Sequence, residues 1–201
     1  MAERGRPRVF DRSAALRSAM DQFWTYGYEG TSIKHLTQAM GINPPSLYAA
    51  FGSKEQLFRE AIALYAATDG AVTEHALRAL TSARTAIETM LRGNAELYMG
   101  PECPGGCMFV LAATNVSADN GLIHDYLVEQ RRETVSSIER RLDQAVADGE
   151  LPAGTDVSGL AGFYGTVLHG ISIEARDGVS RERLHAIVDS AMRAWDVLVA
   201  A

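Results

Sequence analysis

The chain has 201 residues, 47% hydrophobic and 22% charged, the composition of one generous or two smaller folded domains with a real core. No apolar run is long enough to span a bilayer. The N-terminus MAERGRPRVFDR carries arginines but lacks the apolar stretch of a secretory signal, so a cytoplasmic protein with no membrane partner is expected. The net charge of −6 is unevenly spread: residues 1–54 hold seven Lys/Arg against four acids, a net of +3, and residues 55–201 hold 12 against 21, a net of −9. A basic head on an acidic body suits a molecule that approaches a phosphate backbone by one end.

Every strong hydrophobic periodicity is helical. Leu16, Ala19, Met20, Phe23 and Trp24 recur at i, i+3, i+4, i+7 and i+8, with Asp11 placed as an N-cap and Gly27 as a stop. The pair Thr31–Ser32 caps a second helix, whose face is Ile33, Leu36 and Met40 and which Gly41 ends. Asn43 caps a third, with Pro44 at its first position, where a missing N–H leaves no bond unmade. Gly52–Ser53 closes that helix and opens a fourth. Its stripe of Leu57, Phe58, Ala61, Ile62 and Tyr65 is expected to run into the seventies, with Gly70 the place where it bends or ends. Further helices are predicted over 83–99, 108–118, 122–148, 157–176 and 182–200. The loop GPECPGG at 100–106 and the turn-and-cap stretch DGELPAGTD at 148–156 interrupt them. The fold class is all-α, about nine helices, with no strand-like alternation and no repeat.

Residues 31–51, TSIKHLTQAMGINPPSLYAAF, read as two short helices meeting at a turn that contains Gly41, the pattern of a helix-turn-helix. On the second of them Leu47, Phe51 and Pro44 share the face expected to meet the core, and Pro45 and Ala49 lie opposite, flanked by Ser46 and Tyr48. Small residues let that outer face press into a major groove: Ser46 can bond a base edge, and the Ala49 and Ala50 methyls can touch a thymine methyl. Tyr48 and Lys54 have the reach and the donors for phosphate, and Thr31 and Ser32 offer hydroxyls beside a helix N-terminus. A short capped surface helix reads the same way from this stretch alone.

Residues 10–62 strongly resemble the DNA-binding domain of the tetracycline-repressor (TetR) family of regulators. The matching features are the aromatic pair Phe23–Trp24, then GYEGTSI, MGI and SLY, and then a phenylalanine and SKEQLF. The resemblance implies an all-α homodimer with a three-helix DNA-binding domain. Behind it lies a helical ligand-binding and dimerisation domain whose last two helices form a four-helix interface. The division is expected at 1–54 and 55–201. The family's contacts to double-stranded operator DNA fall on Thr31, Ser32, Asn43, Pro45, Ser46, Tyr48, Ala49 and Lys54. Arg4, Arg6 and Arg8, on an arm before the first helix, suit a narrow minor groove, although a solvated tail has the same composition. The implied function is a transcriptional regulator, a repressor released from its operator by an unidentified small-molecule effector, with no cofactor and no metal.

Other constellations compete with that reading. Cys103 and Cys107 flank Pro104-Gly105-Gly106 and form a candidate redox- or metal-sensing thiol pair, but the spacing is not that of a CxxC knuckle and no histidine lies near in sequence. An enzyme is the rival class, and no phosphate loop, nucleophile elbow or HExxH is present. Tyr65, Met90, Tyr98, Phe109, Tyr126 and Phe163 are the residues expected to line an apolar ligand pocket, the composition also of any helical core. For the dimer interface the expected residues are Leu184, Val188, Met192 and Trp195 on the last helix. Gly162 and Gly165 on the helix before it would permit close backbone approach.

Overall fold

A computed structural model describes residues 11–79, 82–101, 103–112 and 116–200, and all its regular structure is helical among these residues. Helix α1 (Arg12–Gly30) starts where the Asp11 carboxylate accepts the Ser13 and Ala14 N–H groups at 3.0 and 3.1 Å. Gly27, at φ 70° and ψ 179°, breaks it before its last turn, a conformation that a side chain would strain. Helix α2 (Ile33–Met40) opens on a capping box between Ser32 and His35 and ends at Gly41 in the left-handed region. Helix α3 (Pro44–Phe51) is capped by Asn43, whose Oδ1 takes the Ser46 N–H at 2.9 Å, and α4 (Lys54–Ala67) by Ser53, which takes the Gln56 N–H at 3.1 Å. These caps are where the sequence places them.

The N-terminal core is aromatic. Phe23 lies edge-on to Phe58 at 5.0 Å, and Trp24 edge-on to Tyr65 at 4.9 Å. Leu36 and Leu47 bring α2 and α3 onto the same cluster. Helix α4 therefore closes the core of α1–α3 from one side. It ends at Thr68 and does not run on through the seventies. A 3₁₀ turn, Asp69–Ala71, follows, and after it comes the separate helix α5 (Val72–Arg78). Gly70 is tucked against Tyr65, where a Cβ would come within 2.7 Å of the ring.

The second core joins α5 to α6 (Ala83–Tyr98), α8 (Gly121–Ala147), α9 (Val157–Arg176), α10 (Arg181–Arg193) and α11 (Trp195–Val199). Two predicted helices differ from expectation. The helix expected over 108–118 is a single turn, α7 (Met108–Leu111). Farther along, Ser117 is extended because Glu29 accepts both its N–H and its hydroxyl, at 3.1 and 2.7 Å, in place of a helical ladder. The last helix is divided at Ala194 into α10 and α11. With these breaks the described residues form eleven α-helices.

The stripe expected at the dimer interface faces inward. Leu184, Val188, Met192 and Trp195 are all buried within their own chain. The Trp195 ring is 5.6 Å from that of Tyr164, whose hydroxyl donates to the Ala191 carbonyl at 3.3 Å. Gly165 also serves the interior: a Cβ there would lie 2.8 Å from Val135 Cγ2, so its hydrogen lets α9 lie against α8. An amphipathic helix has one strong apolar stripe, and here a single chain uses it. Gly162 does face outward, with nothing within 4 Å of its Cβ position. The same outward surface carries Phe163, 37% exposed, and Ile173, 45% exposed.

Candidate nucleic-acid interface and effector cavity

The outer face of α3 is built by what lies beneath it. Leu47 and Phe51 anchor the helix, and Pro45, Ser46, Tyr48 and Ala49 stand in solvent. Pro44 is also exposed, because at the first position of the helix it precedes the turn that meets the core. Arg12 locks the far end of α3. Its guanidinium donates to both oxygens of Glu60 at 2.8 and 2.7 Å and lies 4.4 Å from the Phe51 ring centre. The small face is thus held on a frame made by α1 and α4.

Lys54, at the first turn of α4, extends its Nζ to 4.2 Å above the Tyr28 ring. Burial lowers its pKa, and the nearby Glu29 carboxylate opposes that shift. Asn43 and Ser32 are exposed but already engaged as caps. Thr31 departs from expectation as a phosphate contact: it is fully buried, and its hydroxyl donates to the carbonyls of Gly27 at 2.7 Å and Gln22 at 3.2 Å. Its work is to close the kinked end of α1. Arg4, Arg6 and Arg8 lie outside the described residues.

A small cavity of about 30 Å³ lies between α4, α6, α8 and α9. Tyr65, Tyr98 and Phe109, three of the six residues named from the sequence for a pocket, line it. Met90 is buried in the second core and off the lining. Tyr126 packs under Arg59, whose guanidinium is 4.5 Å from its ring centre. Phe163 lies on the outer face of α9. The lining also includes Thr73, Asn94, Cys107, Thr134 and His169, polar groups that an expectation built on aromatic residues leaves out. Asn94 donates to Thr73 Oγ1 at 3.0 Å and to the Met90 carbonyl at 2.8 Å. Burial lowers the pKa of His169, and the Arg131 charge adds to that effect.

Both cysteines are free thiols. The Cys103 Sγ lies 3.9 Å from the Gly106 carbonyl, and burial raises its pKa. Cys107 opens α7, and its N–H donates to Ser172 Oγ at 2.7 Å. Among the described residues, no three His, Cys, Asp or Glu side chains gather as a metal site would require.

Polar bonds join α1 to the cavity's surroundings. The Trp24 indole N–H donates to the Gly106 carbonyl at 2.8 Å, and Arg17 meets Asp69 at 2.6 Å. Arg176, at the end of α9, donates to the Thr25 and Pro104 carbonyls. Glu29 accepts from Ser117 and from Asn120 Nδ2, the latter at 2.7 Å. The reading head and the cavity are thus two parts of one bonded frame.

A supported helix-turn-helix joined to a helical domain defines a DNA-binding regulator. Residues 15–61 match the family model "Bacterial regulatory proteins, tetR family", and residues 92–196 match "Tetracyclin repressor-like, C-terminal domain". The chain is 38% identical over 199 residues to the HTH-type transcriptional repressor ComR of Escherichia coli (strain K12), covering 98% of this chain and 94% of that protein. It is 29% identical over 194 residues to the repressor BdcR of the same organism, covering 90% and 87%. A solved structure of a cysteine mutant of the TetR family regulator CifR, complexed with 26-base-pair operator DNA, superposes with a TM-score of 0.91 at 48% identity, covering 94% of this chain and 100% of that one. The chain belongs to the TetR family of transcriptional regulators.

Proposed function

We propose that the chain acts as a homodimer on a near-palindromic operator, as a repressor that a small molecule in the α4–α6–α8–α9 cavity releases. The observation that carries this reading is the outer face of α3. It is free of bulk except for Tyr48, rigidly backed, and bounded by Lys54. Similarity to a regulator solved with operator DNA supports it. Ser46 and Ala49 meet base edges, Tyr48 and Lys54 meet phosphate, and the arm bearing Arg4, Arg6 and Arg8 enters the adjacent minor groove. The second copy is seated on the outward surface of α9 around Gly162, Phe163 and Ile173, the apolar surface left over once the stripe of α10 is used internally. We place the functional division between residues 1–54 and 55–201, with α4 as the lever between head and cavity: Tyr65 at its end lines the cavity, and Phe58 packs on the head. The chain binds and does not catalyse, and it acts in the cytoplasm beside the chromosome.

Fluorescence anisotropy on DNA flanking its gene tests the reading. Lys54→Ala is expected to weaken all sequences alike and to lower the salt slope by roughly one unit for each phosphate left without its cation. Ala49→Gln is expected to change which base is preferred, with penalties of about 1–3 kcal/mol per altered position. If Ala49→Gln only weakens binding with no change in preference, α3 does not read the groove by this face.

A further inference from the structure

The cavity behind the α4–α5 corner is too small for an ordinary effector. Its volume of about 30 Å³ is roughly a tenth of the smallest usual ligand pocket and about two to three times what one water molecule needs. A molecule of about four non-hydrogen atoms touches so little protein that reversible binding is no tighter than about tens of micromolar. A covalent bond removes that ceiling, and one wall of the cavity is a nucleophile, the Cys107 thiol.

The surroundings of that thiol are specific. Tyr65 and Tyr98, on two different helices, line the same cavity as the thiol. These side chains are only 1% and 3% exposed. Burial pushes both phenols well above their ordinary range, so they stay protonated and remain donors. No carboxylate, Lys or Arg is on the lining among the described residues, and His169 is held toward its neutral form. An uncharged wall of this kind turns away ionic ligands, which would be desolvated without a partner. Cys103 is not on the lining.

We propose that the cavity is a covalent capture site, in which Cys107 takes up a small uncharged carbon electrophile whose oxygen receives a proton from Tyr65 or Tyr98. The proposal rests on the reading of this cavity as the effector site, and it names the class of effector. With an unsaturated aldehyde, the sulfur attacks the terminal carbon and forms the C–S bond. The electron pair of the C=C bond moves to the oxygen, which takes the phenol's proton, and the enol then returns to the aldehyde. The phenolate recovers its proton from the Cys107 S–H. The sum is an S–H and a C=C exchanged for a C–S and a C–H, with no oxidant or reductant.

The adduct has a direct route to the reading head. Gly106, next to Cys107, holds the Trp24 indole through its carbonyl and has no room to shift: an added Cβ would collide with the Ser172 carbonyl oxygen. Tyr65 stacks edge-on against both Trp24 and Phe109. New atoms on the sulfur press on Tyr65 at the end of α4 and on Trp24 in α1 together.

The test uses the full-length protein and acrolein as probe, with adducts mapped by intact-mass and peptide mass spectrometry. The expected result is one adduct per chain, on Cys107, in wild type and in Cys103→Ser, and none in Cys107→Ser. Tyr98→Phe and Tyr65→Phe are expected to slow acrolein addition by about tenfold or more. Neither is expected to slow alkylation by iodoacetamide, which expels iodide and needs no proton. Circular dichroism establishes that each variant is folded. Equal labelling of both cysteines, no Cys107 adduct in the folded protein, or loss of both reactions in step in the tyrosine variants would overturn the site. Operator affinity is measured separately. An adduct confined to Cys107 that leaves DNA binding unchanged supports the capture site and overturns the effector reading beneath it.

Discussion

Thr31 shows how far a residue's type and position carry its role. A hydroxyl at the entry to a helix-turn-helix suits a phosphate, and the TetR resemblance puts a DNA contact there. The kink at Gly27 leaves two α1 carbonyls facing inward, and Thr31 answers them. Thr31→Val keeps the shape and removes the donor, so urea denaturation is expected to show a loss of about 1–3 kcal/mol. The operator affinity of the folded protein and its salt dependence are expected to stay as they are, whereas removing a group that binds phosphate would flatten the salt slope. Residues whose neighbours are close in sequence are legible from the sequence alone: the caps at Asp11, Ser32, Asn43 and Ser53 bond within three residues of themselves. The cluster of Tyr65, Tyr98 and Cys107 is not, because it forms only when three separate segments meet. Each member taken alone looks like core.

At the scale of elements, periodicity locates the helices but does not say which neighbour each stripe will meet. The stripe of α10 is plain in the sequence, and whether it faces its own chain or a second copy depends on how much surface α6 and α9 offer. Helix ends set by tertiary bonds are hidden for the same reason: Glu29 decides the conformation of Ser117, 88 residues away. The small-residue pattern of α9 is likewise visible, and its two roles separate only in three dimensions. Gly165 is where α9 touches α8, so Gly165→Val drives a side chain into Val135 and pries the two helices apart. The expected cost is about 1–3 kcal/mol, read as a lower denaturant midpoint with helix content retained at low denaturant.

For the whole molecule, the two surfaces of the C-terminal helices make opposite demands. If a second copy is seated on the outward surface of α9, then Phe163→Glu together with Ile173→Glu should give a folded monomer in sedimentation velocity, with helical circular dichroism intact. Trp195→Ala acts on the interior and is expected to destabilise the chain itself by about 3–5 kcal/mol, with assembly failing only through unfolding. The all-α class, the order of head and body and the family are all readable from sequence, since they depend on local pattern and on a contiguous motif. The interface is not, because it is defined by what a single chain leaves uncovered.

The aromatic packing between α1 and α4 also determines where this protein can be cut. A fragment stopped at Lys54 would keep three helices but strip Phe58, Ile62 and Tyr65 from the faces of Phe23 and Trp24, leaving the largest side chains of the head in water. Met108, Ile123 and Leu127 complete the same cluster from much later in the chain. The head is therefore not a detachable module, although the sequence motif that marks it is contiguous. An engineer grafting this DNA specificity onto another sensor has to carry α4 through Ala67 and supply a substitute for the α7–α8 cover. Transplanting only the outer face of α3 into a relative with its own α1–α4 frame avoids both requirements.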